Sequence, residues 1–179
     1  MISTNRFSRI PVVPFRIVLR LGLLTAALCL GSVTNAATAT GVMTVTATVA
    51  STCIVGTSTL AFGSTTSAAI LTGNIDAVGS VTINCTSGSV YSIALDPGAG
   101  ASATIASRKL TSGTNLLNYT VYTEAARTIL WGDGTASSTM VGGTGNGQVQ
   151  TVSAYGRIFS GQNAPAASYT DTIAVSVSY

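Results

Sequence analysis

Residues 41–49 alternate strictly between two sets of side chains. In an extended chain one face carries Met43, Val45, Ala47 and Val49, and the other carries Val42, Thr44, Thr46 and Thr48. A period of two with one apolar face is typical of a strand that buries that face. The segment stands alone, ahead of Cys53, at the end of a flexible lead. We therefore expect it to pair with another molecule, as a building block of a fibre would.

Similar alternation recurs along the rest of the chain. Clusters of Gly, Ser, Asn and Pro separate the alternating runs, and no helical periodicity extends beyond one turn. The apolar sets on one face are Val81, Ile83 and Cys85, then Tyr91, Ile93 and Leu95, then Leu117, Tyr119 and Val121, and finally Ile173, Val175, Val177 and Tyr179. This pattern predicts an all-β antiparallel sandwich. Residues 132–147, rich in Gly, Ser and Thr, are predicted to form an exposed loop.

The first 36 residues have the features of a secretory signal peptide. Four arginines precede an apolar run at residues 21–30, and small residues follow it, so cleavage is expected after Ala36 or, as a second choice, after Ala39. The apolar run is about half of the ~20 residues that a membrane-spanning helix needs, so we expect no membrane anchor. The predicted organisation is a signal peptide at 1–36, an N-terminal strand segment at 37–50 and one domain at 51–179.

Removal of the signal peptide changes the sign of the net charge. The whole chain carries 8 basic and 5 acidic side chains, but four of the basic ones lie in the first 20 residues. The mature chain therefore has a net charge of −1. Without a basic patch, binding to nucleic acid or to an anionic membrane is not expected.

The two cysteines that remain after export, Cys53 and Cys85, are expected to form a disulfide in an oxidising compartment. The sequence contains no histidine, so a serine-histidine triad is excluded and zinc loses its commonest ligand. The five carboxylates are far apart in sequence, and Asp133 between two glycines is interpreted as a turn former rather than a calcium ligand. We expect neither an enzyme nor a bound cofactor.

Several ordered motifs resemble the spore coat protein U domain. They cover nearly all of the mature chain: Cys53 with Leu60-Ala61-Phe62-Gly63, Val81-Thr82-Ile83-Asn84-Cys85, Tyr91-Ser92-Ile93-Ala94-Leu95-Asp96-Pro97-Gly98, Leu117-Asn118-Tyr119-Thr120-Val121-Tyr122, Trp131-Gly132-Asp133-Gly134, Tyr155-Gly156-Arg157-Ile158 and Tyr169 to Tyr179. That family largely comprises subunits of archaic, Csu-type chaperone-usher pili of Gram-negative bacteria.

The resemblance implies an incomplete immunoglobulin-like sandwich that is completed by donor-strand complementation, a form of strand addition. The implied partners are neighbouring pilus subunits, a periplasmic chaperone and an outer-membrane usher. The protein would pass through the periplasm to an extracellular pilus that supports adhesion and biofilm formation. The donor role falls on Met43, Val45, Ala47 and Val49, and the acceptor groove and chaperone edge on Ile173, Val175, Val177 and Tyr179.

Two alternatives to a pilus subunit stay open at this point. The sandwich could bind glycans through Trp131 and neighbouring loops, since exposed aromatic rings are common in sugar sites. It could also be a surface or coat protein that never joins a chaperone-usher fibre. The remaining tyrosines on apolar strand faces, Tyr91, Tyr119 and Tyr179, are expected to fill the core.

Overall fold

The computed structural model describes residues 36–56 and 58–179. Nearly all of the predicted signal peptide therefore lies outside the described residues. The chain divides into two units, one up to Val45 and one from Thr46 onward. In the first unit, residues 36–45 have no regular secondary structure and are exposed. No helix in the described ranges is long and apolar enough to cross a membrane.

The described part of the second unit, residues 46–56 and 58–179, contains eight strands and one short helix. They are β1 (Cys53–Val55), α1 (Ser67–Thr72), β2 (Ile75–Cys85), β3 (Val90–Leu95), β4 (Arg108–Ser112), β5 (Asn115–Tyr122), β6 (Val141–Thr144), β7 (Val149–Ile158) and β8 (Val175–Ser178). One sheet has the order β1-β2-β7-β5-β4 and the other the order β6-β3-β8, with every neighbouring pair antiparallel. The all-β immunoglobulin-like sandwich predicted from the sequence is confirmed.

The core lies between the two sheets, because the strands direct alternate side chains inward. The predicted apolar faces of β2, β3 and β5 are buried there, including the rings of Tyr91 and Tyr119. A disulfide between Cys53 and Cys85, directly opposite each other in the ladder, joins the start of β1 to the end of β2. This pairing confirms the disulfide expected from the sequence. Closing a loop with a sequence separation of 32 stabilises the fold by about 4 kcal/mol in the chain-entropy account.

Two elements differ from the sequence-based expectation. The predicted loop at residues 132–147 contains β6, which pairs with β3. Gly143 lies directly opposite Tyr91, and an added Cβ would collide with the tyrosine ring, so a glycine is required where this ring crosses the strand. The helix α1 was not predicted; Thr66 caps its first turn by accepting a hydrogen bond from the Ala69 amide (3.2 Å), and Ile70 is buried against the core.

Three charged side chains form a cluster on the outer face of the five-stranded sheet. Arg157 on β7 donates two hydrogen bonds to the carboxylate of Asp76, its direct partner on β2, at 2.7 and 2.9 Å. Arg127 lies 3.3 Å from the same carboxylate. The hydrogen bond from Arg157 is the largest effect and lowers the pKa of Asp76. Burial opposes it, and the charge of Arg127 adds a smaller lowering.

Candidate functional site

An open groove separates the two sheets along one side of the sandwich. One wall is the chain that follows β1, residues 58–62, and the other is the chain that leads into β8. The groove encloses a cavity of about 170 Å³. It is lined by Ser58, Thr59, Leu60, Phe62, Ser80, Val81, Leu95, Leu110, Tyr119, Val121, Ala154, Asp171, Ile173 and Val175.

The wall at residues 58–62 packs closely against a glycine of β7, Gly156. Leu60 and Phe62 both lie over Gly156 of β7, and a Cβ at that position would be 2.8 Å from each of the two side chains. The Phe62 ring also meets Tyr119 edge to face, with 6.0 Å between ring centroids. Any larger residue at position 156 would push this wall away from the sheet, so the width of the groove depends on that glycine.

The second wall ends in β8, an edge strand of the three-stranded sheet. Ala174 accepts a hydrogen bond from the Asp96 amide (3.1 Å) and donates to the Asp96 side chain (2.9 Å), so its backbone faces β3. In an antiparallel ladder the backbone groups of Val175 and Val177 must then point to the opposite edge. Among the described residues no strand pairs with that edge. The groove therefore combines apolar side chains with unpaired backbone groups, as a site for an added strand requires.

The structure separates the four residues predicted to form the acceptor groove. Ile173 and Val175 line the groove, and Val177 packs against the core. The side chain of Tyr179 is 59% exposed and does not line the groove, so the expectation that its ring fills the core is wrong. The alternation from Ile173 to Tyr179 predicts a strand at the end of the chain, and the structure has a strand there only over Val175–Ser178.

The other end of the groove is polar. The hydroxyl of Tyr119 donates to the Asp171 carboxylate (2.6 Å), which also accepts from the amides of Ala99 (2.9 Å) and Thr172 (2.8 Å). Burial, together with the hydrogen bond to Asp171, raises the pKa of Tyr119 well above its usual range. These bonds hold residues 171–172 away from a regular ladder, which explains why the last strand is shorter than predicted.

A buried arginine supports this end of the sandwich. Arg108 on β4 is fully buried, and its guanidinium donates to the carbonyls of Trp131 (2.9 Å), Asp96 (3.0 Å) and Ile105 (3.0 Å). Desolvation lowers the pKa of Arg108. Asp96 also hydrogen bonds to Ala174 at the start of the β8 wall. The guanidinium of Arg108 therefore fixes the backbone that holds one side of the groove.

The predicted donor face is fully available to solvent. Met43 is 85% exposed and Val45 is 84% exposed, and Ala47 and Val49 are exposed as well. Residues 41–49 form no strand, which differs from the sequence-based expectation. A β-strand is defined by hydrogen bonds to a neighbouring strand, so a segment without a partner does not form one.

Trp131 lies in the core and not on the surface. Its ring is 0% exposed and its indole N–H donates to the carbonyl of Ile93 (3.0 Å). The neighbouring Asp133 accepts hydrogen bonds from the amide and hydroxyl of Thr135 (2.9 and 2.6 Å), which is the turn predicted for it. A glycan platform built on Trp131 is therefore not available in this conformation.

Comparison with known proteins gives the family of the chain. The family model for the Spore Coat Protein U domain matches residues 39–176. The chain belongs to the spore coat protein U domain family. The identification made from the sequence motifs is thus confirmed. Protein U of Myxococcus xanthus is 32% identical to this spore coat protein U domain protein over 87 residues, which are 48% of each chain. The chain spans about half the length of that curated relative.

The spore coat protein U domain fold also occurs in a solved pilus complex. A chain in the crystal structure of the CsuC-CsuE chaperone-tip adhesion subunit pre-assembly complex, from archaic chaperone-usher Csu pili of Acinetobacter baumannii, superposes with a TM-score of 0.54. The alignment covers 74% of this chain and 40% of the other, at 19% identity. At that identity the likeness establishes a shared fold.

Proposed function

We propose that this protein is a structural subunit of a chaperone-usher pilus, in which residues 41–49 of one copy complete the sandwich of a neighbouring copy or of a related subunit. It is exported through the periplasm, held there by a chaperone, and delivered by an outer-membrane usher to an extracellular fibre that serves adhesion and biofilm formation. Its role is structural and requires neither catalysis nor a cofactor.

The observation that carries this proposal is the open groove beside β8. It offers apolar side chains and an unpaired backbone edge, and an exposed edge of this kind is an aggregation hazard unless a strand covers it. Family membership and the fold shared with a chain of a chaperone–subunit complex support the same assignment.

The donor segment and the groove match in period and in chemistry. The donor presents Met43, Val45, Ala47 and Val49 at every second position. The acceptor wall lines the groove at the same spacing, with Asp171, Ile173 and Val175. The segment from 37 to 52 contains no charged side chain, as an apolar groove requires. Ala47 is the smallest of the four and would fill the shallowest position.

Substitution of adjacent donor residues tests the proposal. Val45→Asp places a charge in the apolar groove of the neighbour, and such burial without a partner costs several kcal/mol, so we expect fibre assembly to fail. The matched change Thr44→Asp puts the same charge on the opposite face and is expected to assemble at close to the parental rate. Fibres are counted on the cell surface or after assembly from chaperone-bound subunits whose folding has been verified.

Three outcomes are informative in this experiment. Loss of fibres in Val45→Asp with normal assembly of Thr44→Asp supports the proposal. The reverse result would mean that the register is shifted by one residue. Normal assembly of both variants would show that residues 41–49 are not the donor strand.

A further inference from the structure

The ladder between β1 and β2 continues one residue beyond the disulfide, at Thr52 and Thr86. The Thr86 amide donates to the Thr52 carbonyl (2.9 Å), and the Thr52 amide donates to the Thr86 hydroxyl (3.0 Å). The two hydroxyls are also within hydrogen-bond distance of each other, at 3.2 Å. Thr52 is therefore tied to Thr86 by backbone and side-chain groups together.

Thr86 is itself held in place by hydrogen bonds in the turn that follows β2. The carbonyl of Thr86 accepts from the Ser89 amide (3.0 Å), and the carbonyl of Ser89 accepts from the Gly145 amide (2.8 Å). A Cβ at position 145 would collide with the Thr86 carbonyl, so the turn after β2 and the loop after β6 are packed backbone to backbone. The hydroxyl of Thr86 is thus positioned by β2 and by the packed turn and loop next to it.

The distance between this fixed point and the donor segment is short. If the donor ends at Val49, only Ala50 and Ser51 separate it from Thr52. Three consecutive Cα steps span at most about 10–11 Å, so a neighbouring subunit that holds Val49 must lie against this end of the domain. With only two linking residues, the orientation of Thr52 limits the direction in which the donor strand can leave the domain. A long flexible linker would not impose such a limit.

We infer that Thr52 and Thr86 form a clamp that sets the direction in which the donor strand leaves the domain, and thereby the angle between consecutive subunits of the fibre. The inference rests on the proposed function, because the donor strand gives the clamp its role. Thr86 is the positioning residue, and it acts through the amide of Thr52 without touching the bound neighbour.

The first test is amide hydrogen exchange at Thr52. The mature chain, residues 37–179, is measured by NMR with an excess of a synthetic peptide spanning residues 37–50 to fill the groove. In Thr86→Val the Thr52 amide loses its acceptor, and its exchange rate is expected to rise roughly tenfold. Thr86→Ser keeps the hydroxyl and is expected to restore parental exchange. Thr151→Val is the control, since Thr151 is an exposed threonine on β7.

The second test is the shape of assembled fibres in electron micrographs. We expect Thr86→Val fibres to form in parental amounts but with a clearly shorter persistence length, and Thr86→Ser and Thr151→Val fibres to match the parent. A Thr86→Val fibre as straight as the parent would overturn the clamp while leaving the proposed function intact. Absence of fibres from the parent itself would overturn both. A Thr52 amide that exchanges in the parent as fast as that of Ser51 would also overturn the clamp.

Discussion

Replacement of Arg108 by methionine removes the charge that anchors one end of the groove. The carbonyls of Asp96 and Trp131 would then lose their donor, whereas the carbonyl of Ile105 keeps a hydrogen bond from the Thr120 hydroxyl (3.0 Å). A buried acceptor left without a donor costs about 1–3 kcal/mol, which gives about 2–6 kcal/mol for the two. Methionine avoids the desolvation cost of the guanidinium, so we expect the free energy of unfolding to fall by about 3 kcal/mol.

Urea unfolding of the mature chain, with the groove filled by the 37–50 peptide, measures this loss. Trp131 is the single tryptophan of the sequence, and the peptide contains none, so its fluorescence reports on the domain alone. With a slope of about 2 kcal/mol per molar urea, the midpoint of Arg108→Met is expected to fall by about 1.5 M. Capture of the peptide is expected to weaken as well, because the end of β3 supports the groove wall.

The neighbouring Lys109 offers a matched control. It carries the same charge on the other face of β4, where its ammonium donates to the Asn118 side chain (3.1 Å) and is only half-buried. Lys109→Met is expected to cost less than about 1 kcal/mol, a shift below ~0.5 M. Equal midpoints for Arg108→Met and Lys109→Met would refute the argument that the buried guanidinium organises this end of the sandwich.

Three other changes test separate parts of the fold. Cys53→Ser is expected to cost about 4 kcal/mol in urea unfolding, and the parent should add no alkyl label in intact-mass analysis without reductant; two labels would contradict the disulfide. Gly143→Ala forces a Cβ against the Tyr91 ring and is expected to cost about 1–3 kcal/mol, whereas a Cβ at Gly142 would meet the Tyr91 carbonyl oxygen at an ordinary contact distance of 3.6 Å, so Gly142→Ala should cost less. Asp76 has a lowered pKa in the folded state, so its stabilising contribution is complete above about pH 4 and is lost as the pH falls through that lowered value. The stability of Asp76→Asn, measured from pH 6 to 2, should therefore fall less than that of the parent.

The sandwich could be predicted because its central strands carry large apolar side chains at every second position. The inward faces of β2, β3 and β5 follow directly from that period. In contrast, β6 is half glycine and β4 reads Arg-Lys-Leu-Thr-Ser, so neither shows the alternation that marks a buried strand. Their positions are set by partners distant in sequence, such as Tyr91 opposite Gly143.

The sequence indicated residues of only one wall of the groove, the wall that leads into β8. Ile173 and Val175 belong to the apolar alternation at the end of the chain, and their acceptor role was implied by the family resemblance. The structure places both in the groove lining, and the role itself stays a prediction. Leu60 and Phe62 belong to a family motif, but the sequence did not indicate that they form a groove wall. The segment that carries them forms a single bridge to β2 and no strand of its own, so it shows no strand pattern. The polar end at Asp171 depends on Tyr119, 52 positions away, and no local pattern in the sequence indicates that contact.

The position of the disulfide has a mechanical consequence for any fibre of these subunits. Tension on the N-terminal segment enters the domain next to Cys53, on a strand of only three residues that hydrogen bonds alone would hold weakly under pulling. The covalent link to Cys85 passes that load directly to β2, which has eleven residues and pairs along most of its length with β7. Force is then borne in shear by the longest ladder among the described residues, so β1 cannot peel away first. In the proposed fibre, the crosslink would protect the subunit against traction as well as the domain against unfolding.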